Sequence, residues 1–252
     1  LEKRLATHAL YAFFRVPDDI VDETYRTDPI QARIALEGWR EEWRKAYEGF
    51  PSDEPVLRAT ALVFHHFQIP YEYSESFLEA MIQDTQQTRY QTYEDLRSYM
   101  YGSAIVVGLM MTHVIGFSES EALEHAKALG EAMQLTNFIR DIREDLETRN
   151  RIYLPKEEYE AFGLQEDDFL NHTCDERMTA FLMFQIQRCD SLYQQAETGI
   201  PLLHPSGRLA VAIASRLYQE ILRKIEAQHY NIFLKRARTS GWEKLWLSLC
   251  TW

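Results

Sequence analysis

Glycine and proline are scarce in this chain, with 10 and 8 among 252 residues. A β-sandwich or barrel needs turn residues at short intervals, so that architecture is disfavoured and helices are expected. Cysteine is scarcer still: Cys174, Cys189 and Cys250 are an odd number at wide spacing. They suit neither a disulfide framework nor a zinc site, and imply a reducing, cytoplasmic setting. Basic residues are in deficit, 27 Lys and Arg against 39 Asp and Glu, leaving a formal charge of −12 and a pI near 5.2. Such a balance argues against a nucleic-acid partner. No apolar run approaches the roughly 20 residues of a membrane-spanning helix, and Leu1-Glu2-Lys3-Arg4 is not followed by a signal-peptide core. The chain does not begin with methionine, from which a missing natural first segment is expected. Phosphate-binding glycine loops, Gly-x-Gly-x-x-Gly and His-Glu-x-x-His are all absent, which leaves P-loop, Rossmann and metalloprotease chemistry without support.

What is present reads as all-α. The hydrophobic content is 46%, and apolar residues recur at three- and four-residue spacing without sustained alternation. Asp28-Pro29 offers an N-cap with proline behind it, and Trp39, Trp43 and Tyr47 then share a face before Gly49 and Pro51 end the helix. Further helices are expected from Pro55 to about Pro70, from Tyr71 to Arg89, and behind the Thr92 cap with Asp95 to about Gly116. Capping-box signatures at Ser118/Glu121 and Thr173/Glu176 open segments ending near Glu147 and Gly199, and a last helix spans Gly207 to Gln228. Without linker or repeat, one domain over residues 1–252 is expected.

Two Asp-x-x-x-Asp pairs stand out. Asp18 and Asp22 fall on one helix face, as do Asp141 and Asp145 far along the chain. Either pair alone reads as a solvated helix start, with Pro17 at a first helical position. Both together, with Arg15, Asn137 and Arg140 alongside, suit hard-oxygen binding of magnesium. Facing pairs in a bundle core would clamp a diphosphate and stabilise it as a leaving group. A di-iron bundle would need two Glu-x-x-His repeats, and only Glu226 to His229 is present. Aromatic and small residues around Tyr11-Ala12-Phe13-Phe14 and Tyr99-Met100-Tyr101-Gly102 read either as ordinary core or as an apolar cavity able to stabilise a carbocation. Gly102 and Gly108 inside a helix hint at space being made.

The stretches Tyr11 to Asp22 and Gln134 to Asp145, the latter followed by Arg151-Ile152-Tyr153-Leu154-Pro155, resemble the two signatures of the squalene and phytoene synthase family. Pro55 to Arg58, Thr88-Arg89-Tyr90, Tyr99 to Gly102 and Ile225 to Tyr230 also resemble family positions, so the likeness covers nearly the whole chain. It is strongest toward bacterial and archaeal phytoene and dehydrosqualene synthases.

The resemblance implies an all-helical prenyl synthase bundle with a central active-site cavity, joining two prenyl diphosphates head to head through a cyclopropylcarbinyl diphosphate. It implies magnesium, with manganese as a substitute, held by Asp18, Asp22, Asn137, Asp141 and Asp145. Tyr11, Arg15, Gln134, Arg140 and Tyr230 resemble the diphosphate-contacting set, and Tyr99 the tyrosine near the reacting carbons. His8 is expected at the cavity wall. Family members often carry a small or flexible residue where Pro17 stands, so a kink is expected just before the first pair. The leading expectation is phytoene from two geranylgeranyl diphosphates, without NADPH. The competitors are a thirty-carbon synthase of dehydrosqualene, squalene or presqualene diphosphate using farnesyl diphosphate, and a non-catalytic helical lipid-binding protein. An apolar product calls for peripheral membrane contact at the inner face, for which Gly241 to Leu249 with Trp252 is a candidate anchor and a last packed helix the alternative. The sequence implies no particular oligomeric state.

Overall fold

The computed structural model describes residues 2–25, 27–234, 236 and 237. Eleven α-helices are formed among them: α1 (Glu2–Asp19), α2 (Pro29–Tyr47), α3 (Pro55–His66), α4 (Tyr71–Gln83), α5 (Tyr93–Met100), α6 (Val106–Ile115), α7 (Glu121–Arg149), α8 (Lys156–Ala161), α9 (Glu166–Leu170), α10 (Glu176–Glu197) and α11 (Pro205–Ala227). No strand is formed among the described residues beyond an isolated bridge between Arg89 and Ile152. The candidate anchor at Gly241 to Trp252 lies outside the described residues.

The chain divides into two compact units, one comprising the described residues up to Gln87 together with Tyr101–Phe117, the other Thr88–Met100 and the described residues from Ser118 onward. In the first unit the stripe Ala6, Leu10, Phe13 and Pro17 of α1 is buried, at the spacing that aligns one helix face. Phe13 meets the fully buried Trp43 of α2 at 4.8 Å between ring centroids, and Trp43 meets Phe64 of α3 at 5.0 Å. The Trp43 indole N–H donates to Ser74 Oγ of α4 at 2.9 Å, so this large apolar anchor leaves no orphaned donor. In the second unit, α7 is 29 residues long, roughly 40 Å of helix. It packs along α10, where Thr136 and Tyr193 hydroxyls bond inside the core at 2.9 Å. Asn150 in the left-handed conformation ends α7 by returning its N–H to the last turn.

Several expectations need correction. Pro17 is not a first helical position; it lies inside α1. The helix continues across it, and the irregularity comes later, as a π-helical turn over Ile20–Thr24 inside the first acidic pair. The helix expected to Arg89 ends at Gln83, and the one expected from Thr92 to Gly116 is interrupted by a second π turn over Tyr101–Ile105. A Cβ on Gly102 would press on the Ser76 backbone and come within 2.7 Å of Ala80 Cβ of α4, so this glycine serves close helix packing and not a cavity. The Thr92/Asp95 reciprocal cap forms. Ser118 does not cap α7, because its N–H and hydroxyl both bond to the Leu202 carbonyl. Asp175, not Thr173, caps α10. The helical run Tyr93–Ile115 is long and apolar enough to cross a membrane by length and composition, contrary to the expectation from sequence, but half of that stretch is buried inside the fold.

Candidate active site

The first acidic motif lies in the first unit. Because the core stripe of α1 faces inward, the opposite face presents His8, Tyr11 and Arg15, followed by Asp18, to solvent. His8 is exposed, and Tyr11 is 65% exposed. The Arg15 guanidinium gathers the acids of the motif, meeting Asp18 at 2.8 Å, Asp19 at 2.5 Å and Glu23 at 3.0 Å. Asp22 falls within the π turn.

The second motif lies in the second unit, and its setting is drier. Gln134, Asn137, Asp141 and Asp145 follow one another along one face of α7. Asp141, with a side chain 14% exposed, is held between two guanidinium groups. Arg140 donates to its oxygens at 2.8 and 2.5 Å, and Arg236 at 2.6 and 2.8 Å. Arg236 also pairs with Glu144 at 2.9 Å. Burial alone would raise the Asp141 carboxyl, but these two hydrogen-bonded cations hold it below the ordinary aspartate range. Asp145 is the opposite case. Burial pushes its carboxyl up to about 7, and Arg149, at 3.4 Å, offsets this only in part.

Asn137 Nδ2 donates to Gln134 Oε1 at 3.4 Å, while Asn137 Oδ1 is buried without a hydrogen-bond partner among the described residues. A buried carbonyl oxygen left unmade is costly, and this one sits one turn from the Asp141 carboxylate. That donor set fits a hard cation such as magnesium. No three His, Cys, Asp or Glu side chains converge as a metal cluster among the described residues.

Tyr99 is 3% exposed and belongs to a four-ring group. It stacks on Tyr153 at 5.8 Å and Phe138 at 6.4 Å, leans on Tyr90 at 5.3 Å, and Phe138 lies over Tyr153 at 4.1 Å. Pairing of Thr88–Gln91 with Ile152–Glu157 brings these tyrosines together: Ile152 N–H donates to Thr88 at 3.1 Å and Lys156 N–H to Tyr90 at 2.9 Å.

Each unit holds its own subset of the expected residues. Gln134, Asn137, Arg140, Asp141 and Asp145 share one stretch of α7, and Tyr11, Arg15 and Asp18 share one strip of α1. Tyr230 lies elsewhere, lining a surface groove of about 430 Å³ with Met183, Phe184, Asp190 and Glu226. Two residues were missed. Arg236 closes over Asp141, and Tyr218 of α11 is near enough to Arg140 to act on it electrostatically. The only sequence signal for Arg236 is the basic cluster of Lys235, Arg236 and Arg238, which reads equally as a membrane-facing patch.

Residues 1–243 match the squalene/phytoene synthase family model. The chain is 35% identical over 256 aligned residues to the 15-cis-phytoene synthase of Synechococcus elongatus, covering 96% of this chain and 82% of that protein. It is 36% identical to the phytoene synthase of Arthrospira platensis, covering 97% and 82%. Among solved structures, a dehydrosqualene synthase in complex with ligand superposes with a TM-score of 0.89 at 29% identity, covering 99% of this chain and 86% of that one. Squalene synthase HpnC from Alicyclobacillus acidocaldarius gives 0.84 at 28% identity, covering 91% and 85%. With the all-helical fold and both acidic motifs in hand, the chain belongs to the squalene/phytoene synthase family.

Proposed function

We propose that the chain is a prenyltransferase that joins two geranylgeranyl diphosphates head to head, through a cyclopropylcarbinyl diphosphate, to give phytoene and two diphosphates, one proton being lost as the cyclopropane forms and a second as phytoene forms. The observation that carries this reading is the identity of 35% and 36% to phytoene synthases over 96% and 97% of the chain. The family match over residues 1–243 supports treating the chain as one synthase domain. A thirty-carbon reaction on farnesyl diphosphate is the second reading, supported by the dehydrosqualene synthase likeness at 29% identity.

Asp18, Asp22, Asn137, Asp141 and Asp145 are the proposed holders of magnesium or manganese, which when bound neutralises diphosphate oxygens and makes diphosphate a better leaving group. The chain's own cations supply the rest of the anion site. Arg15 and Arg140 present guanidinium groups to diphosphate oxygens, Tyr11 and Gln134 add polar contacts, and Arg236 joins them once it turns from Asp141 to the ligand. The Asp145 carboxyl, which burial raises to about 7, would exchange its proton for a bound cation. The rings of Tyr99, Phe138 and Tyr153 offer π faces to a cationic carbon and exclude water from it. In this reading proton loss, and not reduction, ends the sequence, as in the phytoene synthases that the chain resembles. Product release at a membrane surface is the proposed route for so apolar a hydrocarbon.

Incubation with geranylgeranyl or farnesyl diphosphate, with and without magnesium, tests this directly. Phytoene from the longer substrate, dependent on the metal, is expected. Product from farnesyl diphosphate alone would move the assignment to the thirty-carbon reaction, and no diphosphate release from either would overturn the enzymatic reading.

A further inference from the structure

Helices α5 and α7 touch at two levels. At one level Tyr99 of α5 stacks on Phe138 of α7. At the other, Tyr93 Oη donates to Glu131 Oε1 at 2.5 Å, and Arg97 approaches Glu131 Oε2 at 3.4 Å. Glu131 precedes Phe138 by two turns on the same face of α7, and on α5 Tyr93 opens the helix while Tyr99 lies in its last turn. Glu131 is only 4% exposed, and it stands on α7 ahead of Gln134 and the second acidic motif. Burying a carboxylate where a hydrophobic side chain would pack at least as well calls for a reason.

The surroundings of this contact supply one. The face of the Tyr93 ring carries the Arg188 guanidinium, 3.7 Å from its centroid. Arg188 is fixed by Glu158 of α8 at 2.9 and 2.5 Å and by Gln185 of α10 at 3.0 Å. Gln185 is fully buried and donates to the same Glu158 at 2.7 Å. A line of directional contacts thus runs from α7 through α5 to α10 and α8. Stacked rings alone tolerate sliding, because their attraction varies slowly with offset. A hydrogen bond to a buried carboxylate does not tolerate it. Tyr99 needs such an anchor, because it lies in the last turn of α5, immediately before the winding changes at Tyr101.

We propose that Glu131, acting through Tyr93, is a positioning residue that sets the register of α5 on α7 and so fixes the Tyr99 ring against Phe138 and Tyr153. Its catalytic consequence rests on the function proposed above; its structural consequence does not. The test therefore has two readouts on the full chain. The first is the resonance of fluorotyrosine at position 99, assigned by its loss in Tyr99→Phe. Tyr93→Phe and Glu131→Leu should shift and broaden it, while Glu131→Gln, which keeps an acceptor for the Tyr93 hydroxyl, should restore a sharp line near its original position. An unmoved resonance in Tyr93→Phe and Glu131→Leu overturns the proposal whether or not the chain turns over substrate.

The second readout is turnover. A ring displaced by a fraction of an ångström to an ångström lowers kcat by about 10- to 100-fold with KM little changed, and more cyclopropylcarbinyl diphosphate should be released relative to final product. In a Tyr99→Ala background, Glu131→Leu should add almost nothing, because the two act through one ring. An equal fold-loss in both backgrounds would show that Glu131 acts independently of Tyr99 and would overturn the proposal.

Discussion

The two acidic motifs share the Asp-x-x-x-Asp spacing and sit in opposite physical settings. The first straddles a change of helical winding, its Arg15 is shared among three carboxylates, and the side chains of Arg15 and Asp18 are about half exposed, at 44% and 46%. The second lies within a single uninterrupted helix, with Asp141 clamped by two guanidinium groups and Asp145 buried. Water screens the first and barely reaches the second. Identical spacing therefore yields an adaptable ligand set at one motif and a pre-formed, charge-balanced one at the other. The second motif does not wait for a metal to neutralise it; for Asp141, Arg140 and Arg236 already do so.

The largest expected effect comes from Asp141→Asn. Loss of an interaction made to developing charge should reduce turnover on the order of 10²–10³-fold. Removing the carboxylate also takes from Arg140 its hydrogen-bonded charged partner and leaves Arg236 on Glu144 alone, so stability should fall by about 3 kcal/mol. Asp18→Asn should reduce turnover comparably but leave the denaturation midpoint almost unmoved. Paired turnover and urea-unfolding measurements check this, and a matched stability loss in both variants would abolish the contrast between the motifs.

A second, smaller effect concerns pH. Burial raises the Asp145 carboxyl to about 7, whereas in the unfolded chain it titrates near ~3.9. Between those values the folded chain binds a proton that the unfolded chain has lost, so the stability of the metal-free protein should fall as pH rises through the window. The change should be on the order of 2–4 kcal/mol for the full shift. Asp145→Asn should flatten that slope in unfolding curves taken from pH 4 to pH 8, and an unchanged slope would place the titration elsewhere.

Much of this contrast is legible in the amino-acid sequence and some is not. The long helices and many of their boundaries follow from caps that act within a few residues, such as Asp28 with Pro29 and Thr92 with Asp95, whereas the short α8 and α9 do not. Where the expected cap failed, a distant group had claimed it: the Ser118 hydroxyl and N–H go to Leu202, far along the chain. The α7 face is readable because Gln134, Asn137, Asp141 and Asp145 are local to one helix. Arg236 is not, because its role depends on the chain returning to α7 from the far end of α11. The π turn at Tyr101–Ile105 is equally hidden, since it depends on how closely Gly102 approaches the backbone of α4. Tyr230 is expected in the diphosphate-contacting set on the resemblance alone; in the structure its backbone is left-handed and it lines the groove beside α10.

The smallest expected effect probes the exposed motif alone. Glu23, 68% exposed, is one of three acids around Arg15. Exposed pairs of this kind contribute little, because solvent and salt screen them and ordering two long side chains offsets the attraction. Glu23→Gln leaves Asp18 and Asp19 on the same guanidinium, so the thermal midpoint should move by no more than about 1 °C. The variant should still have a kinetic signature. With one competitor removed, Arg15 is more available to an incoming diphosphate, and KM should drop by about twofold at low salt, a difference that vanishes as ionic strength rises past the range where the Debye length is ~8 Å. The matching change at the second motif, Glu144→Gln, removes a carboxylate that is itself 52% exposed; its effect on KM should nonetheless lose less to salt than that of Glu23→Gln, because Arg236 stays on Asp141, only 14% exposed. Equal salt sensitivity in the two variants would mean that the difference in burial has no electrostatic consequence, and that the motifs differ in shape alone.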